Sequence, residues 1–143
     1  MTVLAYDDTR GAPVANAAYS GYQRVDAGGT LVLMDTGGLP PLSASQDAHA
    51  GCLSFEMSSG PNRIVVNCGM PSSNRETWRQ AARATAAHST VTFNDTSLCR
   101  FVETPTVRLL LGGTPAVDGP AVQVDRRLEG HDTLLQASHD GYA

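Results

Sequence analysis

Cys52-Leu53-Ser54-Phe55-Glu56-Met57-Ser58, then Ser59-Gly60-Pro61-Asn62, then Arg63-Ile64-Val65-Val66-Asn67-Cys68 is the stretch whose reading decides the fold. In the first run Leu53, Phe55 and Met57 alternate with Cys52, Ser54, Glu56 and Ser58, the two-residue period of a strand with one face turned inward. The second run is apolar on both faces at Ile64-Val65-Val66, which predicts a central strand covered on both sides. The residues between them carry turn chemistry.

Working outward, short two-periodic runs recur at residues 19–25, 30–35, 90–94, 98–102, 107–111, 121–128 and 133–138. Gly28-Gly29, Gly37-Gly38, Asn94-Asp95, Gly112-Gly113, Asp118-Gly119-Pro120 and Glu129-Gly130 punctuate them. Many short strands at this spacing predict an all-β, antiparallel β-sandwich or barrel, not a parallel α/β sheet. One short helix is expected at residues 74–84, with Asn74 as its cap, Glu76 in the first turn and Arg79 and Arg83 toward the end. Trp78 is the large apolar side chain expected to dock it on the sheet. Residues 1–17 lack an apolar period and read as a linker or loop, leaving 18–143 as the domain. The chain ends after a strand and turn at His139-Asp140-Gly141, where a further strand is expected, so the domain reads as truncated there.

Composition narrows the function classes. The chain has 143 residues, 41% apolar and 17% charged, the balance of one globular domain able to bury roughly two-thirds of its unfolded surface. All ten basic residues are arginine, against fourteen acids, for a net charge of −4. No basic face is available to neutralise phosphates, so nucleic acid is not an expected partner. Lysine Schiff-base and P-loop chemistry are excluded, because there is no lysine. No apolar run is long enough for a membrane span, and Met1 opens no charged-then-apolar export signal. Cys52, Cys68 and Cys99 are an odd number without C-x-x-C spacing, which reads as small buried side chains rather than a disulfide framework.

The four histidines are the main candidates for chemistry. His49 and His88 each lie just before a strand, and Asn67-Cys68 close another. Strand ends of a sandwich can converge, and two histidines with a third oxygen or sulfur donor would make a zinc site. The plainer reading is a hydrogen-bonded residue at a sheet edge in each case. His131 reads as solvated loop. His139 is the more suggestive catalytic candidate, because two polar side chains and an aromatic cluster around one glycine turn in Ser-His-Asp-Gly-Tyr; the plainer reading is a turn. Arg126 and Arg127 point to opposite faces by strand alternation and do not form a patch. No Gly-x-Ser-x-Gly elbow or phosphate loop is present.

These same residues carry a resemblance. Ser20-Gly21-Tyr22-Gln23-Arg24 resembles the leading strand of the C-terminal β-sandwich domain of heparinase II/III polysaccharide lyases. Ala48-His49-Ala50-Gly51-Cys52-Leu53-Ser54-Phe55-Glu56 resembles that family's His-x-His-Ala-Asp-x-Leu-Ser-Phe-Glu run. Ile64-Val65-Val66-Asn67-Cys68-Gly69 resembles its apolar strand ending in Asp-x-Gly, and Ala86-Ala87-His88-Ser89-Thr90-Val91 its Ala-x-His-Asn-Thr-Val segment. Ser138-His139-Asp140-Gly141-Tyr142 is also similar to family sequence. The segments follow in order from Ser20 onward.

The resemblance implies a supersandwich-like domain preceded, in a longer parent chain, by a helical toroid, with a polysaccharide groove between the two. Members cleave uronic-acid-containing polysaccharide by β-elimination. That reaction needs the uronate carboxylate neutralised, a base for the C5 proton, and an acid for the leaving oxygen. In the family the toroid supplies an asparagine and a tyrosine, and the β-domain a histidine and a zinc site. Here Asp47 stands at the catalytic-histidine position. His49 and His88 stand at two zinc-ligand positions, Asn67 at a zinc-binding aspartate, and Gly51 at the aspartate of His-Ala-Asp. Cys68 could offer a thiolate where Asn67 has only an amide. No cofactor other than zinc is implied. The resemblance also implies a periplasmic or cell-envelope location and an acidic polysaccharide partner.

The leading expectation is therefore the β-sandwich part of a heparinase II/III-like lyase, without turnover on its own. The alternative is a non-catalytic carbohydrate-binding or scaffolding sandwich in which the catalytic and metal positions have drifted. Asp47 and Gly51 favour the alternative. A zinc sandwich held by His49, Cys68 and His88 is a third expectation.

Overall fold

The computed structural model describes residues 13–72 and 75–142. Its secondary structure is mostly antiparallel sheet with two short α-helices, an all-β, sandwich-like fold. Strands β1 (Asn16–Ala17), β2 (Tyr22–Ala27), β3 (Thr30–Asp35), β4 (Phe55–Ser59) and β5 (Asn62–Val65) form one five-stranded sheet in sequence order. The sheet thus begins inside the stretch read as a linker, since Asn16 pairs with Gln23 and Ala17 with Tyr22. Tight turns set the register. Gly28 and Gly29 both take positive φ, the requirement of a two-residue hairpin that pairs Ala27 with Thr30.

After β5 come α1 (Glu76–Arg83), β6 (Arg100–Phe101), α2 (Pro105–Leu111) and β7 (Ala116–Val117), with β6 and β7 paired. The chain closes on a hairpin of two eight-residue strands, β8 (Val122–Glu129) and β9 (Asp132–His139). Arg126 ties that hairpin to the large sheet through a 3.0 Å bond to the Arg24 carbonyl, while Arg127 points away and pairs with Asp125. The opposite pointing of these two arginines is as alternation predicts. Among the described residues no helix is long and apolar enough to cross a membrane.

Several expectations need correction. Residues 107–111, expected as a strand, lie in α2. Pro105 opens that helix, where its missing N–H costs nothing, and Gly112 ends it in the left-handed region at φ 75°. The apolar run Val107-x-Leu109-Leu110-Leu111 suits either element by period, and the flanking Pro and Gly decide. Residues 90–94 are not a strand. Asn94 and Asp95 both have positive φ and make a tight turn that leaves one isolated bridge, Phe93 to Thr96. The strand expected from Cys52 starts at Phe55, because Leu53 is left-handed at φ 56° inside a turn closed by Ser54 N–H on the Gly51 carbonyl. Leu53 therefore does not share the strand face of Phe55 and Met57.

The Ile64-Val65-Val66 strand is not central. β5 is the outer strand of its sheet, and Ile64 and Val66 are 55% and 53% exposed. Trp78 does not dock α1, being 58% exposed; the residue that α1 buries is Arg83. Asn74, expected as the cap, lies outside the described residues. All three cysteines are free, and Cys52 and Cys99 are buried as expected, but Cys68 is exposed.

The core is small and sits beside the sheet. Ala50, Cys99 and Ala116 are buried together, with Leu39, Ala48 and Phe101 packed against them. It is centred on the chain that carries His49, so the same contacts that stabilise the fold also fix that histidine.

Candidate functional site

His49 lies in the loop between a 3-10 turn at Leu42–Ala44 and β4. Its two neighbours are both held by Arg83. The Ala48 carbonyl accepts from Arg83 Nε at 2.7 Å, and the Ala50 N–H donates to the Arg83 carbonyl at 2.8 Å. The Arg83 side chain is only 4% exposed. It also donates to Thr114 Oγ1 at 2.9 Å and the Ser45 carbonyl at 3.3 Å, and its guanidinium lies 4.5 Å over the Phe101 ring. A buried cation is tolerated here because hydrogen bonds and an aromatic face replace water around it. The sequence marked Arg83 only as a charge at a helix end. No spacing rule could have shown its grip on the histidine loop, because its partners lie 31 to 38 residues away in the chain.

His88 follows α1 and a second 3-10 turn, Thr85–Ala87. Thr85 is fully buried; its hydroxyl donates to the Ala50 carbonyl and accepts the Leu98 N–H, both at 2.8 Å. The two histidine segments are thereby joined, and the rings meet. His49 Nδ1 and His88 Nε2 are 3.0 Å apart with the rings at 89°. His88 Nδ1 lies 2.9 Å from the Ala84 carbonyl. A carbonyl only accepts, so His88 carries its proton on Nδ1, and its neutral Nε2 accepts from His49 Nδ1–H. Burial chiefly pushes the His49 pKa below its ordinary value, with His88 and Arg83 acting the same way.

The other expected ligands are engaged elsewhere. Asn67 Oδ1 accepts the Ser89 N–H at 2.8 Å and lies 3.0 Å from the Ser89 hydroxyl, which also contacts the Phe55 carbonyl. The amide thus ties the end of β5 to the His88 segment. Cys68 is at the surface and not grouped with the histidines. Among the described residues no three of His, Cys, Asp and Glu come together as a metal site. Zinc takes at least three protein ligands, and two imidazoles with an amide already hydrogen-bonded fall short of that set. Gly51 is equally telling. A Cβ there would lie 2.8 Å from His88 Cδ2, so the His88 ring fills the space an aspartate would need.

Asp47 is exposed and accepts from Arg79 at 2.8 Å. His139, the last residue of β9, accepts the Gly141 N–H on Nδ1 at 3.1 Å, with its ring against Tyr142. Tyr142 in turn donates toward the Val91 and Thr96 carbonyls. That cluster locks a turn and borders a different cleft from the one His49 faces.

Asp47 and His49 share the wall of a cleft of about 700 Å³ with Tyr19, Tyr22, Asp35 and Leu39. Its floor is built by close backbone approach. Gly21 has φ 75°, and a Cβ on it would overlap the Gly37 backbone; the Thr36 N–H donates to the Gly21 carbonyl at 2.8 Å. Asp35 accepts the Gly37 N–H at 3.0 Å, and burial raises its pKa despite that bond and the nearby His88. Burial likewise pushes the Cys52 and Cys99 thiols up to about 11, so neither is a ready thiolate.

Residues 9–143 match the family described as heparinase II/III-like, C-terminal. FtsZ-localized protein C of Caulobacter vibrioides (strain NA1000 / CB15N) is 31% identical over 140 residues, covering 97% of this chain and 24% of that protein. The chain therefore spans less than two thirds of that relative's length. No solved structure matches the chain.

Proposed function

The chain belongs to the heparinase II/III-like C-terminal family, and from that premise we propose that it is a saccharide-holding domain without its own catalytic or metal centre. The observation that carries this reading is the fate of the family's reactive positions. Asp47 stands at the catalytic-histidine position and is held by Arg79, and the two histidines at the metal positions bond to each other. An ionised carboxylate has no proton to give a leaving oxygen, and with His88 Nε2 taken up by the His49 Nδ1–H the pair leaves one imidazole nitrogen, His49 Nε2, where a zinc site needs at least three protein ligands. The relative's name states a localisation and no reaction, so it lends no support to turnover.

The test is incubation with glycosaminoglycan and with alginate, read by unsaturated-uronide absorbance, together with affinity electrophoresis on these and on a neutral polysaccharide. No absorbance, and retarded migration by at least one of the polysaccharides, is expected. Absorbance that disappears in His49→Ala would overturn the reading.

A second reading, the β-domain of an active uronate lyase, is favoured by one observation: His49 and His88 keep the family's metal positions and stay together. In it a helical toroid of the same parent chain supplies an asparagine and a tyrosine, acidic polysaccharide is the substrate, and the protein works in the periplasm or cell envelope. Lyase activity of the whole protein and its cell fractionation test it.

A further inference from the structure

The cleft beside His49 has a lining that bears on which sugars it holds. Tyr19 is fully exposed and Tyr22 half-exposed at its wall. Amphipathic rings of this kind present a flat apolar face and a hydroxyl at little cost in side-chain freedom. Among the described residues the ionisable acids of the wall are Asp35 and Asp47, and no arginine belongs to it. Two arginines near it are already engaged: Arg79 pairs with Asp47 and borders a neighbouring pocket, and Arg83 is buried against three oxygens. Burial, with His88 and Arg83 beside it, holds the His49 pKa below its ordinary value, which favours the uncharged ring. The floor is preformed, because Gly21 and Gly37 touch and the Gly37 N–H fixes the Asp35 carboxylate. A site that needs no reordering gains affinity from few contacts.

Among the described residues such a wall accepts hydrogen bonds and offers no unpaired cation to neutralise a carboxylate. We propose that this cleft takes a sugar chain free of carboxylates, whose hydroxyl and amine or amide donors meet Asp35 and Asp47 and whose ring faces lie on Tyr19 and Tyr22. The proposal rests on the saccharide-holding reading and departs from uronate as the ligand of this domain's share of the cleft. A uronate chain would bring like charges together at Asp35, whose carboxylate has no arginine partner among the described residues, whereas the Asp47 charge is balanced by Arg79; the unbalanced contact disfavours it.

Calorimetry with three probes tests it: an N-acetylglucosamine oligomer, a glucosamine oligomer and a galacturonate oligomer. The first two are expected to bind at least about tenfold more tightly than the third. Tyr19→Ala, an exposed position, should weaken their binding about tenfold with the melting temperature unchanged. Asp35→Asn should narrow the gap by admitting galacturonate. Galacturonate binding as tight as the others, and weakened by salt, would overturn the proposal and leave the saccharide-holding reading standing. Unaltered binding in Tyr19→Ala would overturn the placement in this cleft. Failure of the folded protein to bind any of the three would overturn both.

Discussion

His49 Nδ1 and His88 Nε2 meet at 3.0 Å, nitrogen to nitrogen, each on a segment that the buried Thr85 hydroxyl joins to the other. The pair holds only while one ring donates and the other accepts. Burial depresses the His49 pKa from 6.5, so the unfolded chain binds the proton more readily than the folded one. The contribution to stability is complete above 6.5 and is lost as pH falls toward and through the depressed value. Melting temperature should therefore fall as pH is lowered from 8 toward about 5. His49→Gln, whose amide can still donate to His88, should flatten that slope; an equally steep slope in the variant would count against the pair.

Thr85 makes two backbone bonds from a site with no exposure. Thr85→Val keeps the shape and orphans the Ala50 carbonyl and the Leu98 N–H. The expected loss is about 2–4 kcal/mol, and Thr85→Ser, which keeps the hydroxyl, should lose about half of that or less. Denaturant melts of the two variants give the comparison.

Arg83 and Trp78 lie on the same helix, and the sequence suggests the wrong one as its anchor. Arg83→Ala removes bonds to Ala48, Ser45 and Thr114 and the contact with Phe101, at an expected cost of about 3 kcal/mol or more. Trp78→Ala should stay within about 0.5 kcal/mol of the parent chain, because the ring is largely solvated. Equal destabilisation by both would show that the tryptophan does dock.

The comparison of those two residues shows what a sequence holds and what it hides. Local signals were legible: β3 falls on Thr30–Asp35 as read, Gly28-Gly29 and Gly130 turn the hairpins, and α1 carries its acid first and its base last. Each depends on neighbours in the chain. The outer position of β5, the burial of an arginine in place of a tryptophan, and the left-handed Leu53 depend on distant partners, which no local period reports. The two histidines were legible as candidates from their residue type and from the family resemblance, although the strand expected at residues 90–94 after His88 does not form. Their bonding to each other, and the filling of the Gly51 space by His88, belong to packing alone.

Asp35 gives a prediction of opposite sign. Burial raises its pKa above 3.8, so its favourable share is present below 3.8 and is lost as pH rises through the folded value. Asp35→Asn keeps an acceptor for the Gly37 N–H and removes the buried charge. The variant should melt higher than the parent at neutral pH and at the same temperature below about pH 3. A lower melting point at neutral pH would mean that the carboxylate has an attractive partner in the folded state.

The contact of Gly21 with Gly37 makes the two positions one heritable unit. A side chain on Gly21 has no room unless the opposing turn retreats, and Gly21 also needs its positive φ. Single replacements at Gly21 should be rejected in any mutational screen of folding, and a second change at position 37 cannot rescue them, since it already bears the smallest residue. Insertions that lengthen the turn after β3 are the escape route open to the lineage, and each would redraw the cleft as it relieved the clash.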